Sequence, residues 1–179
     1  MRAWPLFLVT IGSLIPAVAQ RVERAYVGSD QQVHIVLHGK PEFVAPKEMR
    51  LKDQRIADAE DRQVSVEAPA VAPDGRTVGW IVNFPNCCTS YPIPLTLVIF
   101  RDGSIVQRFA GMPIWKFSFE AGGDRVAMYM DTLHGQSAAW CQLRESGSGK
   151  LLDEWRLSDH RPIPGWAEPF RTELEAAAK

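Results

Sequence analysis

The chain has 179 residues, of which 46% are hydrophobic and 23% charged, and its formal net charge is −1. That size and composition suit one globular domain with a core of its own. The near-neutral balance lacks the basic excess that nucleic-acid binding relies on, and three cysteines are too few for a disulfide scaffold.

Residues 1–19 read as a cleavable secretory signal peptide. Arg2 supplies the positive start and Trp4 to Ile15 the apolar run. Pro16 breaks that run, and Ala17-Val18-Ala19 gives the small-x-small pattern ahead of Gln20. The run is interrupted by Pro5 and Gly12 and falls short of the roughly 20 apolar residues a membrane span needs. The expectation is a secreted or periplasmic protein, cleaved near Ala19-Gln20, with no stable membrane span afterwards.

From Gln20 onward, apolar residues recur with the period of two that marks strands. Arg24 to Val27 and Val33 to Leu37 flank Gly28-Ser29-Asp30-Gln31-Gln32 as a first hairpin. Segment 41–63 mixes Lys47, Glu48, Arg50, Lys52 and Asp53 and reads as a loop with one or two weak strands. Ala70 to Ala72 and Thr77 to Phe84 flank Pro73-Asp74-Gly75-Arg76, a turn in which Pro presets φ and Gly accepts a positive φ. Leu95 to Phe100 and Ser104 to Phe109 are joined through Asp102-Gly103, a hairpin signal. Two more hairpins follow, Ile114 to Phe119 with Arg125 to Met130, and Ala138 to Leu143 with Leu151 to Trp155. Helical pattern is confined to Glu168 to Ala178. The segmentation is thus a signal at 1–19, a β-repeat domain at 20–165, and a tail or short helix at 166–179.

Two stretches echo each other, Val71 to Trp80 and Phe117 to Met128, and matching Val78 to Val126 gives a period of 48 residues. Periods of this size built from four strands belong to propeller blades. Ala72-Pro73-Asp74-Gly75-Arg76-Thr77-Val78-Gly79-Trp80 resembles the hairpin of TolB-type and WD-like propeller repeats, and Phe117 to Met128 resembles a degenerate second copy. The resemblance implies an all-β fold of antiparallel blade-like sheets and identifies no activity. With material for about three blades, against the usual four to eight, the chain is expected to form a partial propeller; packing as a β-sandwich is the alternative. Open arrays leave sheet edges to be covered by the C-terminal segment or by another copy.

The first candidate site is the loop Asn86, Cys87, Cys88, Thr89, Ser90 and Tyr91, dense in polar groups and stiffened by Pro85, Pro92 and Pro94. Adjacent thiols suggest redox exchange or soft-metal capture as an alternative function, although no basic residue within the loop marks a lowered thiol pKa. Three disulfide states stay open: Cys141 bonded to Cys87 or Cys88, no bond, or a strained vicinal pair. Asp131, His134 and Gln136 form a secondary loop, with Ser137 lacking the nucleophile elbow of a hydrolase. His34 and His38 on one strand face sit about 13 Å apart, too far to share an ion, so no metal site is expected. The tryptophans read chiefly as core, with Trp166 placed to dock the tail. No catalytic constellation and no cofactor motif is visible. The expected function is an exported β-repeat module that binds a partner protein, self-associates at sheet edges or supports an envelope assembly.

Overall fold

The structure is a computed structural model that describes residues 20–51, 61–86, 91–132 and 139–178. The predicted hairpins all form, and they assemble into three antiparallel sheets. The first sheet contains β1 (Val22–Val27), β2 (Val33–Leu37) and the two-residue β3 (Phe43–Val44). In the second, β4 (Ser65–Val71), β5 (Thr77–Phe84), β6 (Ile93–Arg101) and β7 (Ser104–Ala110) lie side by side in chain order. The third repeats that meander with β8 (Ile114–Glu120), β9 (Arg125–Met130), β10 (Trp140–Glu145) and β11 (Leu151–Arg156). Among the described residues no sheet closes into a barrel, and no helix is long and apolar enough to cross a membrane.

The 48-residue spacing is a structural register. Val71 pairs with Val78 in the second sheet, and Phe119 pairs with Val126 at the matching place in the third. The turns that close these strands take the conformations their sequences call for. Asp102 and Gly103 both have positive φ (51° and 91°), as a primed hairpin turn requires.

The sheets stack face to face in chain order. Val78, Trp80, Val82, Val98 and Phe100 of the second sheet pack against Val22, Val33, Ile35 and Leu37 of the first. Ile81, Leu97 and Ile99, pointing the other way, meet Val126, Met128 and Met130 of the third. Cover on both faces is why β5 is buried along its whole length and reads as a continuous apolar run. Among the described residues the first sheet has cover on one face only, and β2 alternates between buried and half-buried residues.

The third sheet is covered on its far face by the C-terminal segment. A 3-10 stretch (Gly165–Phe170) and α1 (Arg171–Ala177) bring Ala167, Phe170 and Leu174 onto Ala127, Tyr129, Cys141, Leu143 and Trp155. Trp166 fastens this segment by donating its Nε1–H to Asp153 at 2.8 Å, and Lys116 pairs with Glu173. The tail thus covers a sheet face, whereas the sequence pattern suggested an edge.

Cys141 is a buried thiol in that helix-facing layer, and Cys87 and Cys88, the other members of the possible disulfide, lie outside the described residues. Burial pushes the Cys141 thiol up to about 12.

Candidate functional site

The two ends of the stack are built differently. At one end, short turns are tied to each other across sheets. Asp74 accepts the backbone N–H groups of Arg76 (2.8 Å) and Thr77 (2.9 Å) and the Thr77 hydroxyl (2.7 Å). Arg101 donates to Thr77 Oγ1 at 2.7 Å and to the Gly123 carbonyl at 2.6 Å, and the Asp74 N–H donates to the Gly122 carbonyl at 2.8 Å. The first sheet joins through Val22 N–H to Gly75 O at 2.7 Å. Burial alone would raise the Asp74 carboxyl, but its hydrogen bonds and the Arg101 charge outweigh that and hold it below the usual carboxylate range. This end is a cross-tied base.

Because corresponding strands of successive sheets run the same way, every longer connection leaves from the other end. Segment 45–63, the β5–β6 connection and the β9–β10 connection all start there. Described residues fix this placement: Gln63 donates to the Gln31 carbonyl at 2.9 Å, Val64 N–H to Asn83 O at 2.9 Å, and Leu157 N–H to Ala139 O at 3.0 Å. Val27, Met49, Leu51, Val64 and Tyr91 are exposed apolar side chains at or beside this loop end.

Of the sequence-derived candidates, Asn86, Tyr91 and Asp131 share this end, on neighbouring sheets. Cys87, Cys88, Thr89, Ser90, His134 and Gln136 lie outside the described residues. Tyr91 is 41% exposed. Asp131 is buried and structurally employed, accepting the Tyr129 hydroxyl at 3.1 Å and the Thr132 N–H at 2.7 Å. Among the described residues no group of three metal-ligating side chains converges. His34 and His38 turn to separate partners, Asp30 and Glu42 for His34, and Glu23 for His38.

Sequence reasoning missed a second feature. Between the edge strand β7 and the facing side of β9 and β10 lies a cleft of about 270 Å³. Phe109, Ile114, Met128 and Met130 are its apolar side chains, and Gln107, Arg108, Gln142, Arg144 and Ser148 carry its polar groups. Arg144 donates through Nε to Gln142 Oε1 at 2.7 Å and through Nη1 to the Gly149 carbonyl at 2.8 Å. The repeat register was the signal that would have found it. Trp80 pairs with Val98 and Val78 with Phe100 in the second sheet, while the matching pairs in the third are Met128 with Gln142 and Val126 with Arg144.

Comparison of the chain with protein-family models, with curated proteins and with solved structures gives no match.

Proposed function

We propose that the chain is an exported, non-catalytic β-repeat module that holds a protein partner at its loop end, as a binding protein or envelope scaffold. The observation that supports this reading most is the asymmetry of the stack. One end is cross-tied by the Asp74–Thr77–Arg101–Gly123 network, and the other carries every long connection together with exposed Met49, Leu51 and Tyr91. Variable loops on a rigid scaffold are where recognition concentrates, and exposed aromatic and Met side chains make good anchors. The signal-like residues 1–19 support export. Asp131, the described acid of the secondary loop, is committed to Tyr129 and Thr132 rather than free for chemistry. Thiol exchange gains no support from Cys141, which is buried beneath the C-terminal segment.

Site-specific photo-crosslinking in the exporting cell tests the proposal. A photoreactive residue at Tyr91 or Met49 should give one discrete heavier species, and the same residue at Leu151, exposed near the tied end, should give none. Adducts from Leu151 alone, or from no position, would overturn the reading. The mass of the exported chain reports separately on export, which predicts a start at Gln20.

A further inference from the structure

The cleft between the second and third sheets is separate from the loop end and carries its own chemistry. In repeat proteins the same strand positions normally meet the preceding sheet with the same kind of residue, because they fill the same space. Here Val98 and Phe100 of β6 are replaced at the matching positions of β10 by Gln142 and Arg144. On the first of these faces Val98 and Phe100 are fully buried, and Phe100 lies against Phe43 with ring centroids 4.8 Å apart. The second opens into the cleft.

Polar groups in such a place carry a desolvation cost unless something answers them. Gln142 is 6% exposed and is held on both sides, donating to Glu154 Oε2 at 3.3 Å and accepting from Arg144. Gln142 and the Gly149 carbonyl fix the guanidinium by Nε and Nη1. Both of those partners are neutral. Among the described residues no carboxylate comes within ion-pair distance of Arg144; Glu154, on the neighbouring strand, is paired with Arg156 at 2.9 Å. Arg108, the other cation of the lining, is already neutralised by a bidentate pair with Glu48 at 2.7 and 2.8 Å. Among the described residues Arg144 is therefore an oriented cation without a counter-ion, lining the same cleft as Phe109, Ile114, Met128 and Met130.

We propose that this cleft binds a small monocarboxylate with a short apolar tail, its carboxylate on Arg144 and its tail over Met128, Met130 and Phe109. An arginine fork is matched to a carboxylate. The thioether side chains offer an adaptable apolar floor. The cleft volume of about 270 Å³ is at the lower limit of small-molecule sites, so the tail is a few carbons long. Gln107 and Ser148, at the rim, are placed to contact the part of the ligand that stays wet.

The test is a titration of the full exported chain, carrying methyl-labelled methionine, with three six-carbon probes: hexanoate, hexan-1-ol and hexylammonium. Hexanoate should shift the Met128 and Met130 methyl resonances saturably. Hexanol should bind about tenfold more weakly or worse, since it lacks the charge-assisted contact, and hexylammonium should leave both resonances in place. Arg144→Gln should weaken hexanoate by about tenfold or more while leaving hexanol unchanged, and Arg144→Lys should restore part of the loss. The absence of a saturable shift, equal response to the three probes, or full hexanoate affinity in Arg144→Gln would overturn the proposal. If that variant does not fold, as its methyl spectrum would report, the ranking of the three probes on the native chain decides alone.

Discussion

The interface between the first and second sheets and the interface between the second and third are built on strands with the same register, yet polar side chains and a cleft interrupt the apolar core of the second. Toward the first sheet, β5 and β6 present Val78, Trp80, Val98 and Phe100. Toward the second, β9 and β10 present Val126 and Met128 beside Gln142 and Arg144. The backbone of a sheet in a stack is set by its neighbours and its turns. Whether the gap beside it becomes core or site is decided by a handful of side chains on one face.

The comparison is sharpened most by truncating the two matched positions. Phe100→Ala should cost about 3–5 kcal/mol, because the ring is fully enclosed and its neighbours cannot collapse into the space. Arg144→Ala should cost about 1 kcal/mol, since the groups it leaves face the cleft and regain water. Urea midpoints at unchanged slope measure both. Equal costs would mean that the two interfaces are energetically alike and the cleft is an accident of packing.

A second pair of matched positions probes the opposite faces. Gly79 points at the third sheet, where a Cβ would sit 2.7 Å from Phe117 Cε2 and 3.0 Å from Phe119 Cζ. Its partner 48 residues on is Ala127, whose Cβ is accommodated against the C-terminal segment. Gly79→Ala should therefore destabilise by about 1–3 kcal/mol through forced sheet separation. Ala127→Gly should cost about 0.5–1 kcal/mol, the usual entropy of a strand glycine. A neutral Gly79→Ala would show that the edge-to-face pair of Phe117 and Phe119 yields easily, and that the close approach of these two sheets is not a constraint.

How much of this was legible in the sequence follows from which forces are local. The five hairpins were readable because their turns carry the residues their φ values need, Gly75 at +65° and Asp102-Gly103 at +51° and +91° among them. Val78 and Val126 recur in the same local pattern, and each pairs across its hairpin with the residue seven positions before it, Val71 and Phe119. β3 was visible only as a weak strand in a loop, since two residues hold it, and its Phe43 gains its place by packing on Phe100. The cleft was not legible. It depends on which face Gln142 and Arg144 share, and on a bulge between Ile99 and Phe100 that lets Gln107 face the third sheet while Ile105 packs toward the first. Of the tryptophans, Trp80 and Trp155 are core as expected, whereas Trp140 is half-buried under the Arg156 guanidinium at 4.6 Å. Sequence gave no hint of that stacking.

The tied end and the outer face of the first sheet differ in how they answer to pH. At the tied end, Asp74 is held below the ordinary carboxylate value, so its contribution is complete above about pH 3.9 and drains away as pH falls through its lowered folded value. Asp74→Asn should cost about 1–2 kcal/mol at pH 7, because one acceptor is lost and the amide N–H₂ meets the Thr77 hydroxyl. The gap between variant and parent should close as the midpoint is measured at progressively lower pH. A gap that persists in acid would assign the effect to shape rather than charge.

The outer face of the first sheet should respond in the opposite direction and least strongly. His34 lies between Asp30 at 3.2 Å and Glu42 at 3.4 Å, with Tyr26 stacked on it at 5.1 Å and the Arg24 guanidinium over the Tyr26 ring at 5.0 Å. Burial pulls the imidazolium down, but the hydrogen bonds and charges of both carboxylates more than reverse this, so its folded pKa is raised. A raised histidine contributes fully below its unfolded value of about 6.5, and that contribution is lost as pH rises through the folded value. Asp30 and Glu42 are both lowered, Glu42 chiefly by the Tyr26 hydroxyl that donates to it, so their share is lost only in acid. The cluster is thus strongest between those two limits. His34→Gln should be destabilising at pH 6 and approach the parent at pH 9, by the smallest margin of the four tests because the face is partly solvated. A difference that does not change between these pH values would mean that His34 serves as a neutral ring stacked on Tyr26, and that this outer face is held by packing in the same way as the filled interface behind it.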